Sequence, residues 1–206
     1  MGKKILIVTI SCLLCFMLLS CTKETTLRTD SLEKEGVQPY EYTESDTEIL
    51  ESFNLQDRAN IISFKAPKSA RNIEVNTFVL NKNYEWEDNG SGIVSIASDD
   101  SNNLEGTISI LLNEDYSIDF IINTMGKASY KTDKIVLDQQ IVSSSRDFLS
   151  QYKEIKLNRQ IPIAIMVYDS GNSMATYSID DYFNPQKFQG MDLVQAVIIN
   201  FTDNGN

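Results

Sequence analysis

Thr107-Ile108-Ser109-Ile110-Leu111-Leu112-Asn113-Glu114-Asp115-Tyr116-Ser117-Ile118-Asp119-Phe120-Ile121-Ile122 is the stretch that decides the fold. Ile108, Ile110 and Leu112 alternate with Thr107 and Ser109, and Tyr116, Ile118, Phe120 and Ile122 alternate with Ser117 and Asp119. Successive side chains of a strand point to opposite faces, so each run predicts a strand with one buried and one wet face. Asn113-Glu114-Asp115 is a short polar connection between them, which predicts a hairpin and therefore antiparallel pairing.

Reading outward from this pair, the same pattern predicts strands at Ile61 to Phe64, Ile73 to Leu80, Ile93 to Ala97, Ile135 to Val142, Ile161 to Tyr168 and Leu193 to Phe201, with Leu104 opening the first strand of the central hairpin. Asp88-Asn89-Gly90, Asp99 to Asn103 and Asp169-Ser170-Gly171-Asn172 separate apolar runs with residues that tolerate turn dihedrals, so they read as hairpin tips. Helices long enough to cross over between parallel strands are missing. The expectation is an all-β fold, an antiparallel β-sandwich of Ig-like or jelly-roll-like type, over about residues 58 to 202.

One to three short peripheral helices complete the plan. Ser45 followed by Glu48 reads as a capping box, with Ile49, Leu50 and Phe53 on one face that packs on the domain's edge. Phe148, Leu149 and Tyr152 have helical spacing, as do Ile179, Tyr182 and Phe183 behind Ser178 and Asp181, until Pro185 ends the run.

The other end of the chain carries a different signal. Lys3 and Lys4 precede an apolar run from Ile5 to Leu19, shorter than the roughly 20 residues a spanning helix needs, which is the plan of a signal peptide. Leu18, Ser20 and Cys21 resemble the lipobox of bacterial lipoproteins. That resemblance implies a diacylglyceryl group on the Cys21 thiol, cleavage just before it, and a protein lipid-anchored to the cell membrane on its extracytoplasmic face. In its Lys, Ile and Asn richness the remainder resembles lipoproteins of low-GC bacteria. The expected organisation is a signal peptide over 1–20, the lipidated Cys and a flexible acidic tether over 21–44, and a single sandwich domain over 45–206.

Composition removes several classes of function. The 206 residues carry a formal charge of −11, and loss of Lys3 and Lys4 takes the remaining 186 to −13. Such a chain repels phosphate backbones, so no nucleic-acid partner is expected. There is no histidine, and Cys12 and Cys15 leave with the signal peptide while Cys21 is consumed by its thioether. No disulfide, no His-based or Cys-based catalysis, no metal centre and no cofactor is expected. Stability must come from the apolar core.

Three constellations remain. Glu85 and Glu87 lie two apart, about 7 Å on a strand, which is a glycosidase-like carboxylate separation but one that acidic chains produce by chance. Tyr84 and Trp86 could share a face and form a stacking platform for a sugar ring; closure of the core edge by Trp86 is the commoner arrangement. Asp99-Asp100, Asp169 with Asn172, and Asp180-Asp181 offer oxygen ligands without the spacing of a calcium loop, and Gly90-Ser91-Gly92 is a bare G-x-G that reads as a tip. The functional expectation is a lipid-anchored binding or envelope-interaction module for a polysaccharide or protein partner. A carboxylate-based envelope hydrolase and a structural lipoprotein without a discrete ligand are the alternatives.

Overall fold

The structure is a computed structural model and describes residues 32–96, 104–172 and 175–203. The signal-peptide segment and Cys21 lie outside the described residues, as do Asp99 and Asp100. In chain order the strands are β1 (Gly36–Pro39), β2 (Ala59–Lys65), β3 (Asn72–Leu80), β4 (Trp86–Ser95), β5 (Glu105–Leu112) and β6 (Ile118–Asn123). They continue with β7 (Lys127–Lys131), β8 (Ser143–Phe148), β9 (Lys153–Glu154), β10 (Ile161–Asp169) and β11 (Leu193–Thr202). One helix, α1 (Glu44–Ser52), lies between β1 and β2, and two 3-10 helices, Ile179–Phe183 and Pro185–Phe188, lie between β10 and β11.

The strands form two sheets in the orders β7-β6-β5-β2-β1-β9 and β4-β3-β11-β10-β8, with every described pairing antiparallel. This is an all-β sandwich, built on the central hairpin as its alternation requires. Ile108, Ile110, Ile118, Phe120 and Ile122 point into the core together with Ile62 and Phe64 of β2. The Phe64 ring meets Phe201 of β11 edge to face at 5.7 Å, and Tyr116 meets Tyr168 of β10 at 4.9 Å, so aromatic contacts join the two sheets. Gln195 is buried in the same interface and donates from Nε2 to the Tyr116 carbonyl at 2.9 Å.

The second sheet is covered on its far side as well. Almost every residue of β10 and β11 is buried, the mark of strands packed on both faces. The two 3-10 helices supply the outer layer. Edge strand β8 anchors it, with Asp147 Oδ2 accepting from the Ile179 amide at 2.8 Å and Ser145 Oγ from the Tyr177 amide at 3.4 Å.

Several local expectations change. Residues 36–43, read as tether, are ordered: β1 pairs with β2 and β9, and Val37 is fully buried opposite Phe64. A four-residue strand with one core side chain has no alternation to read. The helix begins two residues earlier than Ser45 implies, because Thr43 and Asp46 form the reciprocal capping box. Its expected packing fails, since no α1 residue is buried and Ile49 and Phe53 are exposed.

Ile135 to Val142 is no strand but an irregular connection from the edge of one sheet to the edge of the other, where it has no strand neighbour to pair with. Ser144 to Tyr152, given a helical reading on the spacing of Phe148, Leu149 and Tyr152, overlaps strand β8 (Ser143–Phe148) instead, because pairing with β10 overrides a three-residue pattern. Asp88-Asn89-Gly90 and Gly90-Ser91-Gly92 lie inside β4, not at a tip. Gly90 and Gly92 leave room there for the rings of Tyr130 and Phe120 from the opposite sheet, where a Cβ would collide.

Phe201 joins the two sheets at zero exposure. Phe201→Ala is expected to lower stability by about 3 to 5 kcal/mol, read as a shift of the urea midpoint without loss of cooperativity.

Candidate functional site

Tyr84 and Trp86 belong to different structural contexts. Asn81-Lys82-Asn83-Tyr84-Glu85 and Asn113-Glu114-Asp115-Tyr116-Ser117 form the same turn twice: the Asn accepts from the Tyr amide at 3.0 and 3.1 Å, and the Tyr takes a left-handed φ of 62° and 61°. That is a type I turn closed by a left-handed residue. Tyr84 is therefore a turn residue beside a mixed cavity of about 380 Å3 with Asn81, Gln139 and Asp192, a cavity that Trp86 does not line.

Trp86 opens β4 on the outer face of the second sheet. Its indole stacks on Tyr182 at 5.0 Å and 24°, meets Phe188 edge to face at 6.1 Å, and donates from Nε1 to the Tyr182 carbonyl at 3.0 Å. One face, one edge and the N–H are thus engaged by the chain itself. This is the core-edge arrangement that sequence reasoning weighed against a platform.

The carboxylates are dispersed. Glu85 and Glu87 are both exposed; Glu85 lies in the turn, and Glu87 Oε1 accepts from Asn81 Nδ2 at 2.8 Å. Asp180 pairs with Lys153 at 2.6 Å, and Asp181 pairs with Lys187 and caps Ser178. Burial raises the Asp181 carboxyl, but the Lys187 ammonium and the Ser178 amide outweigh it and hold the group below the ordinary aspartate range. Asp169 lies at the end of β10 beside Gly171, and Ser143 Oγ donates to its carbonyl. Glu87, Asp180 and Asp181 thus have structural partners for their carboxylates, whereas Glu85 joins its turn through its backbone.

The concave apolar site lies elsewhere, on the outer face of the first sheet beneath α1. Strand register sets two adjacent rows across four strands: Ile61, Ser109, Ile121 and Ser129 in one, Ala59, Leu111, Asp119 and Lys131 in the other. Leu50 of α1 and Leu55, which follows it, rise over the β2 end and complete a trough of about 480 Å3. That volume falls within the roughly 300 to 1,000 Å3 of small-molecule sites. Ile61, Leu111 and Ile121 are only half-buried, although their neighbours Ile62, Leu112 and Ile122 are in the core.

None of these trough residues was singled out from the sequence as part of a site. The signal was present as three doublets, Ile61-Ile62, Leu111-Leu112 and Ile121-Ile122, each breaking the period of two and placing one apolar side chain on the wet face. Register then gathers the three surplus residues in one place.

No family model, no curated protein and no solved structure matches this chain.

Because Tyr182 covers the single tryptophan, Tyr182→Ala is expected to red-shift Trp86 emission and raise its quenching by acrylamide in the folded protein. Emission unchanged by that substitution contradicts the stacking geometry.

Proposed function

We propose that this protein is a binding module displayed on the extracytoplasmic face of a membrane by a lipid on Cys21, and that the trough beneath α1 receives its ligand. The observation that carries the binding half is the trough itself. Ile61, Leu111 and Ile121 occupy outward positions of a half-wet sheet, where exposure of a contiguous apolar patch has a cost that a bound ligand would remove. The anchoring half is carried by Lys3, Lys4, the apolar run and the Leu18-to-Cys21 box.

A binding role also accords with the rest of the molecule. Glu87, Asp180 and Asp181 are engaged in a turn, ion pairs and a cap, and Trp86 faces the protein's own side chains. A polysaccharide platform at Tyr84 and Trp86 has less support than the trough, because one face, one edge and the N–H of the Trp86 indole are already engaged by the chain. An apolar or amphipathic ligand suits the site better than a sugar.

Cys21→Ser is expected to leave an uncleaved precursor that takes up no labelled fatty acid, read by electrophoretic size and metabolic palmitate incorporation. A variant that matures to the same size and still incorporates label contradicts the anchor.

A further inference from the structure

The turn after β3 and its twin after β5 use their tyrosines differently. In both, the Asn side chain donates to the acid six residues on, Asn81 to Glu87 at 2.8 Å and Asn113 to Asp119 at 2.9 Å. Tyr116 uses its turn to meet Tyr168 between the sheets. Tyr84 has no such role: among the described residues its ring has no aromatic partner and is not packed against the core, and its hydroxyl makes no hydrogen bond. A glycine would hold a φ of 62° without strain, so the backbone does not explain the tyrosine. What the ring adds is one wall of the cavity of about 380 Å3.

The other walls come from separate parts of the chain. Lys82 stands beside Tyr84 in the turn, Gln139 comes from the connection between the sheets, and Met191 and Asp192 lead from the second 3-10 helix into β11. Asp192 is fixed from two sides, accepting from Gln139 Nε2 and from the Ser170 amide, each at 2.6 Å. A carboxylate offers about four acceptor positions, so capacity remains on it. Gln139 Oε1 and the Lys82 ammonium have no partner among the described residues.

The cavity therefore sets an unpartnered aromatic ring between an anchored anion and an unpaired cation. An anionic ligand would meet Asp192 and a cationic one would meet Lys82, whereas a neutral polyol can satisfy both. A pyranose has that form, with apolar C–H faces that stack on a ring and a rim of hydroxyls that donate and accept. The volume lies within the range of small-molecule sites, and an aromatic wall with a few convergent polar groups is their usual lining. We infer that this cavity binds a neutral sugar ring, stacked on Tyr84, with hydroxyls donating to Asp192 and Gln139 Oε1 and accepting from Lys82. The site goes beyond the trough reading, shares no residue with the trough and does not involve Trp86.

Saturation-transfer difference NMR on the full chain in nanodiscs tests it, with methyl glucoside, methyl galactoside, methyl mannoside and N-acetylglucosamine as probes. Transfer to the ring C–H protons of at least one probe is expected. It should vanish in Tyr84→Gly, which suits the left-handed φ, and persist in Tyr84→Phe, which keeps the ring. Asp192→Asn should weaken binding about tenfold, the worth of a hydrogen bond to a charged group. Leu111→Asp in the trough should leave binding unchanged, so that failure of this site and failure of the trough are told apart.

Absence of transfer to every probe overturns the assignment, as does transfer that survives Tyr84→Gly. Tighter binding of glucuronate or glucosamine than of methyl glucoside overturns the neutral class.

Discussion

The antiparallel pair β10–β11 is the constraint on which the rest of the molecule depends. Its side chains are apolar on both faces, so the pair can exist only if two layers cover it. One layer is the opposite sheet, through Phe64 on Phe201 and Tyr116 on Tyr168. The other is the 3-10 segment, whose Tyr182 and Phe188 close over Trp86 and which edge strand β8 holds by Asp147. Trp86 is consumed in building that second layer, so the single tryptophan serves the fold.

The first sheet is treated differently. Its inner face is equally apolar, but on its outer face β2, β5 and β6 carry one surplus apolar residue each, and among the described residues Leu50 of α1 and Leu55 after it line the same trough. A nine-residue helix that buries none of its side chains covers little. Reciprocal hydrogen bonds of Thr43 and Asp46 hold its start, and the Leu55 amide bonds to the Leu50 carbonyl at 2.8 Å after its end. The helix is positioned by its ends, with its apolar side left available, and the asymmetry between the two outer faces is what makes one of them a site.

Fold class was legible because alternation is a local property. Thr107 to Leu112 and Tyr116 to Ile122 state their faces without reference to anything distant, and Leu193 to Phe201 states that it is central by having no wet face at all. Elements that depend on a partner were not legible: β1 offers one buried side chain, Val37, β7 is polar and exposed at an edge, and Ser143–Phe148 becomes a strand only because β10 lies beside it. Ile135 to Val142 misled in the opposite direction, having strand-like composition but no neighbour. The trough was hidden for a related reason. Its doublets are visible one at a time, and only the register that aligns Ile61 with Ser109 and Ile121 turns three local irregularities into one concave surface. Tyr84 illustrates the converse, since it closes a turn with a left-handed φ of 62° where the strand pattern of its neighbours gave no sign of one.

The central claim is that an accessible apolar trough remains on the outer face of the first sheet, while the β10–β11 pair of the second is covered on both faces. Methyl-resolved NMR under xenon pressure addresses it directly, because xenon enters apolar cavities without regard to polar head groups. The account predicts pressure-dependent shifts at the methyls of Leu50, Ile61, Leu111 and Ile121, with those of Ile165 and Ile198 in the buried β10–β11 pair unmoved. Shifts at Ile165 and Ile198 with the four trough residues silent would contradict it.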